Sequence, residues 1–311
     1  MLKYQSSGQL NGLVAQLRKK IAVDKIFLLG VTAADLPVNS IFHPYDHEEA
    51  QSNGYFLLVL TQPSEKRCGD TVQDILEQTR FTERIHTLVY PSRLFQQWLG
   101  EGQSFAVRVA EQAPLLFNLS SMPVRPPVYF SDSDWRHRSA QLVEQGYHRS
   151  KMFLTGAKIF EAKKEYSLAA FLMHQATEHA CITFILQFTG LKTSTHNLDK
   201  LLRYTTLISN QVSDHFPRQT RQDRELFRLL QKAYVHSRYK SDYMLAPEQA
   251  AILLQRISEM FDCLAPEKKA GIVSEEQVPY SSYLFNIEQW AQRVYSSFHK
   301  LPSRKPVPIL S

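Results

Sequence analysis

The amino-acid sequence predicts an α+β multidomain chain: a small α/β sheet domain first, then an all-α up-and-down helical bundle. Three observations carry this. The 311 residues are about twice an ordinary domain of ~100–200. Over the first 120, short apolar runs alternate with stretches of helical spacing. Beyond a segment with three prolines in eight positions, 120–127, the spacing is helical throughout.

The elements follow in order. Leu10, Leu13, Val14 and Leu17 recur at helical spacing within 9–20, and KIFLLG at 25–30 is a short apolar run ending in glycine, a buried strand. The polar stretch 31–53, with Pro37, Asn39, Pro44 and Asn53, reads as a loop. GYFLLVLT (54–61) is a second strand, 69–79 a helix capped by Asp70 or Thr71, and RIHTLVY (84–90) a third strand. Residues 92–112 give two short helices split at Gly100 and Gly102, and 113–118 a brief fourth strand. The bundle follows as helices at 135–166, 167–190, 193–209, 218–239 and 246–264. The second of these is apolar enough to be buried and stops at Gly190. The expected division is a sheet domain at 1–119, a linker at 120–131, a bundle at 132–265, and a tail at 266–311 with one amphipathic helix within 275–300 and a disordered end.

Hydrophobic residues at 43% and charged residues at 21% exclude wholesale disorder and fibrous repeats. Every apolar run is broken before the ~18 residues a spanning helix needs, and the start lacks a signal-peptide pattern, so no membrane is expected and the compartment expected is the cytoplasm. Cys68, Cys181 and Cys263 are too scattered for a disulfide framework or a CxxC metal pair. The net charge of +6 is uneven: 1–130 holds 12 Lys/Arg against 12 Asp/Glu, and 131–265 holds 18 against 14 with seven of the 11 histidines. A weak attraction of the second half to phosphate follows, although that half has no block of Lys/Arg.

Three ordered motifs in the second half are AAFLMHQATEHACITFILQFTG (169–190), THNLDKLL (195–202) and LFRLLQKAYVHSRYKSDYMLAPEQA (226–250). Together they resemble a HEPN domain over roughly 130–265. The resemblance implies a helical bundle that pairs as a homodimer and takes a nucleotide or RNA ligand. More faintly, the N-terminal part resembles the minimal nucleotidyltransferase fold. There a strand ending in Gly-Ser feeds a helix, and the next strand carries two carboxylates. KIFLLGV keeps Gly30 but has Val31 in place of the serine, and neither NGYFLLVLT nor RIHTLVY carries an acid. Nucleotidyl transfer needs such carboxylates to hold two Mg²⁺ ions. The sequence therefore predicts a catalytically dead domain without metal or cofactor, with Asp35, Asp46, Glu48 and Glu49 of the insert loop solvating it.

HEPN ribonucleases place Arg-x(4–6)-His on a late helix, where arginine stabilises the attacked phosphate and histidine moves protons. Here Gln231 and Lys232 precede His236, Arg228 is too far away, and a literal match at Arg80 and His86 crosses a helix-to-strand boundary. Lys232 and His236 share a helical turn as i and i+4 and are the candidate catalytic residues of a weakened, metal-independent ribonuclease, with Lys232 or Arg238 assisting. His174 and Glu178 also share a face, with Gln175 beside them, but two ligands from one helix make no metal site. As polar groups on an apolar helix they need partners, which Arg238, Tyr239 or Asp242 would supply. The same residues, His174, Gln175, Glu178, His196, Arg238, Tyr239 and Asp242, are the candidate nucleotide or phosphate site. Lys192 and Lys200 add charge at its rim. Two readings stay open: a regulatory nucleotide- or RNA-binding protein, and the ribonuclease using His236.

Overall fold

The computed structural model describes residues 8–33, 38–44, 52–79, 81, 84–119, 126–128, 132–239 and 243–264. The chain divides into two compact units, one of Met1–Ser150 with Thr177–Pro217 and another of Lys151–Ala176 with Arg218–Ser311. Among the described residues no helix is long and apolar enough to cross a membrane.

The first unit is built on a mixed sheet. Its elements begin α1 (Gly8–Lys20), β1 (Val23–Ala33), β2 (Asn39–Ser40), β3 (Ser52–Thr61), α2 (Gly69–Gln78) and β4 (Arg84–Pro91). They continue through α3 (Ser92–Gly100), α4 (Ser104–Gln112) and β5 (Leu115–Asn118). β1 pairs antiparallel with β3 along its length, and its other edge takes β5 near the start and β2 near the end. β4 runs parallel to β3, joined through α2. Ile26, Leu28, Leu29, Leu57, Leu58 and Leu60 are completely buried, which is why these runs lack the alternation of a half-exposed strand.

The expected loop at 31–53 is corrected here: β1 continues to Ala33, β2 lies within the stretch and β3 starts at Ser52. Gly30 therefore stands in the middle of a strand, between Ser40 on one side and Phe56 on the other, and among the described residues no helix follows it before β3. Its missing side chain serves close approach, since a Cβ there would lie 3.0 Å from the Asn39 carbonyl oxygen. Asp35, Asp46, Glu48 and Glu49 lie outside the described residues.

The helical part comprises α5 (Asp132–Ala162), α6 (Tyr166–Thr189), α7 (Leu198–Thr205), a 3₁₀ turn at Ser213–His215, α8 (Arg221–Tyr239) and α9 (Pro247–Leu264). Lys164, at φ 62°, makes the left-handed turn that separates α5 from α6. α6 is buried on nearly all sides, from Leu168 through Met173, Ala176 and Ala180 to Ile185, and ends at Gly190 with φ 76°. The helix expected at 193–209 is shorter, because Asn197 caps α7: its side-chain oxygen accepts from the Asp199 and Lys200 amides at 2.9 and 3.2 Å. In the second unit Leu226, Leu230 and Ala233 of α8 and Leu253, Ile257 and Met260 of α9 form the core. Arg256 of α9 binds Asp223 of α8 at 2.6 Å. The helix expected within 275–300 falls outside the described residues, as does most of the expected linker.

Candidate nucleic-acid interface

α8 turns two faces in different directions. Leu226, Leu229, Leu230 and Ala233 are buried, so the helical repeat leaves Arg221, Arg228, Val235 and Tyr239 exposed, with Lys232 half-buried between them. Val235 is 48% exposed and Tyr239 68%. Counting the whole helix, Arg221, Arg224, Arg228, Lys232 and Arg238 oppose only Asp223 and Glu225. Asp223 is held by Arg256, and Glu225 by the Arg228 guanidinium at 2.8 Å.

At the C-terminal end of this stripe Arg238 rests on aromatic rings. Its guanidinium carbon stands 4.5 Å from the Tyr234 ring centre, 5.1 Å from Tyr239 and 5.3 Å from Phe171. Its Nε donates to the Tyr234 carbonyl at 2.7 Å, which fixes the plane of the fork. A half-exposed guanidinium lying across an exposed tyrosine suits a phosphate and the base beside it. Tyr234 and Phe171 were not singled out by sequence reasoning, nor was the spacing of Arg221, Arg228 and Lys232, although its helical period is visible in the sequence.

The other expected site residues are distributed as follows. His174 is fully buried in the second unit, its ring stacked on Tyr234 with centres 5.3 Å apart and Gln175 Nε2 3.4 Å from its Nδ1. Its neighbour is thus an aromatic ring of α8. Glu178 belongs to the first unit, where its buried carboxylate meets the imidazole of exposed His196 at 2.9 Å. Within that unit one partner of the carboxylate is therefore His196, seven residues after α6 ends. His196 also bears on His179. Burial first, then Arg149 and His196, lowers the His179 pKa to about 4.

His236 is half-buried, with its ring edge-on to Tyr243 at 6.5 Å. The Tyr243 hydroxyl donates to the Leu229 carbonyl at 3.0 Å. Lys232 stands one turn earlier on α8. Asp242 lies outside the described residues. The Arg-x(4–6)-His spacing also occurs at Arg293 and His299, likewise outside them. Lys200, expected at the rim of a phosphate site, has its side chain 5% exposed and bound to Asp74 at 2.7 Å, so its charge is already neutralised. Among the described residues no group of three or more His, Cys, Asp or Glu could hold a metal ion.

No curated protein matches the chain. The crystal structure of an archaeal HEPN homologue is 21% identical, covering 39% of this chain and 93% of its own, with a TM-score of 0.28. Residues 143–269, from the middle of α5 to just past α9, match the HEPN domain family. That stretch is a HEPN domain.

Proposed function

We propose that this chain binds nucleotide or RNA phosphate non-catalytically, with the HEPN domain as the recognition module. The carrying observation is the Arg238 guanidinium spread over Tyr234 and Tyr239 at the end of the cationic stripe of α8. Arginine supplies the phosphate contact, exposed tyrosine the base-stacking surface, and the arginines before them a track for further phosphates. His174 and Gln175 lie in the same unit as Arg238 and belong to the proposed set; Glu178 and His196 lie in the other unit and are separate candidates from the HEPN-like motif. Asp242 is included from its place in the HEPN-like motif. A homodimer through the HEPN helices is part of the reading. The region 1–119 is taken as a non-catalytic, nucleotidyltransferase-like scaffold, a reading that rests on the resemblance around KIFLLGV and on the lack of acids in NGYFLLVLT and RIHTLVY.

The test is fluorescence anisotropy with a short single-stranded RNA, alongside thermal shifts with nucleotides, with and without Mg²⁺. Base–aromatic stacking is worth about 1–3 kcal/mol, so Arg238→Ala and Tyr239→Ala should each weaken binding roughly tenfold or more. A ligand at ~100 times its dissociation constant should stabilise the fold by about 2.7 kcal/mol. Unchanged affinity in both variants would sink the shelf as the site. RNA cleavage that survives EDTA and vanishes in His236→Ala would replace binding with a metal-independent ribonuclease.

A further inference from the structure

The two cations of α7 already have anions, and those anions come from one face of α2. Asp70, Asp74 and Glu77 stand at i, i+4 and i+7. Lys200 Nζ lies 2.7 Å from Asp74 and 3.9 Å from Asp70, and Arg203 Nη2 lies 2.9 Å from Glu77. Arg203 also meets Asp199 at 3.0 Å and His86 Nδ1 at 3.3 Å. The exposures are unequal: the Lys200 side chain is 5% exposed, but those of Asp70 and Asp74 are 73% and 54%.

A buried ammonium needs an anion beside it, but it does not specify which. The two aspartates sit at the solvent edge. The joint between the helices has other contacts besides them. Gln73 and Tyr204 are buried and exchange hydrogen bonds at 2.7 and 3.1 Å, and Leu198, Leu201 and Leu202 are buried behind α7. A phosphate chain carries more charge and more acceptor oxygens than a pair of carboxylates, and Lys200 and Arg203, three residues apart, offer it two adjacent cations.

We propose that Lys200 and Arg203 form a latent polyanion site that the carboxylates of α2 keep closed, the ligand class being a linear phosphate chain. This site is separate from the Arg238 shelf. It is tested on the full chain carrying Arg238→Ala, with inorganic tripolyphosphate as the titrant in calorimetry at low salt.

Removing competing carboxylates by Asp70→Asn with Asp74→Asn should raise tripolyphosphate affinity, by roughly fivefold for each half-exposed pair removed. Adding Lys200→Met and Arg203→Met should abolish that gain. Lack of a gain in a variant that still melts cooperatively overturns the proposal, as does a gain that persists without the two cations. Should the double variant not fold, Asp70→Asn alone removes the more exposed acid, and flat affinity there overturns it equally. Loss of RNA binding in Arg238→Ala speaks only to the shelf, so the two readings fail separately.

Discussion

His86 shows how a single side chain couples this fold to pH. It packs against Phe56 with ring centres 4.7 Å apart and accepts from the Arg203 guanidinium through Nδ1, which places its hydrogen on Nε2. Burial first, then Arg203 and Arg84, lowers its pKa from 6.5 to about 4, with Asp199 opposing. Below pH 6.5 the unfolded chain takes up a proton that the folded chain refuses. Stability is therefore complete above that pH and falls as the pH drops towards 4. The His86 contribution to the loss should be on the order of 3 kcal/mol, read as a falling urea midpoint between pH 7 and pH 4. His86→Gln, which keeps an acceptor for Arg203 without titrating, should flatten much of that slope. Gly190 is the second sensitive residue: its φ is 76°, and a methyl group would overlap the Ser104 hydroxyl. Gly190→Ala should cost about 2–4 kcal/mol by denaturant titration, combining left-handed strain with overpacking.

Among the elements, α7 is the one least able to stand alone. Its eight residues are too few for a stable isolated helix, so its cap and its packing hold it. Asn197→Ala should cost about 1 kcal/mol through the lost cap. Tyr204→Phe removes one partner of buried Gln73, whose amide also donates to the Thr87 carbonyl at 2.6 Å, and should cost about 1–2 kcal/mol. Both are measured as shifts in urea midpoint at constant slope. α8 and α9 were legible in sequence to within a few residues, because each carries a long amphipathic repeat and Pro247 marks a start. The two-residue β2 and the end of β1 were not, since so short a pairing leaves no periodic signal. Of the proposed site, Arg238 and Tyr239 were candidates from their motif. Phe171 was not, because it reaches Arg238 through the fold from a position 67 residues earlier in the sequence.

For the whole molecule, the units do not follow the order of the chain. The unit that contains the sheet also uses 177–217, which supplies Tyr204 to Gln73, Lys200 to Asp74 and the Leu207 carbonyl to the Ser40 hydroxyl. A fragment of residues 1–131 lacks all three partners and leaves Gln73 without its tyrosine. It should melt broadly, where the full chain melts cooperatively, as followed by circular dichroism.

What the sequence determined by itself was local: where helices and strands begin, which helix is apolar enough to be buried, and that cations gather in the second half. Each of these is written within one or two turns of chain, in hydrophobic period, caps and glycines. Only the tertiary structure decided which charges are available. Lys200 is already paired with Asp74, Glu178 meets His196, and Arg238 lies on aromatic rings. A charge interacts through space over a few ångströms, with partners 18 to 126 residues away in these ion pairs, and no local period records that distance.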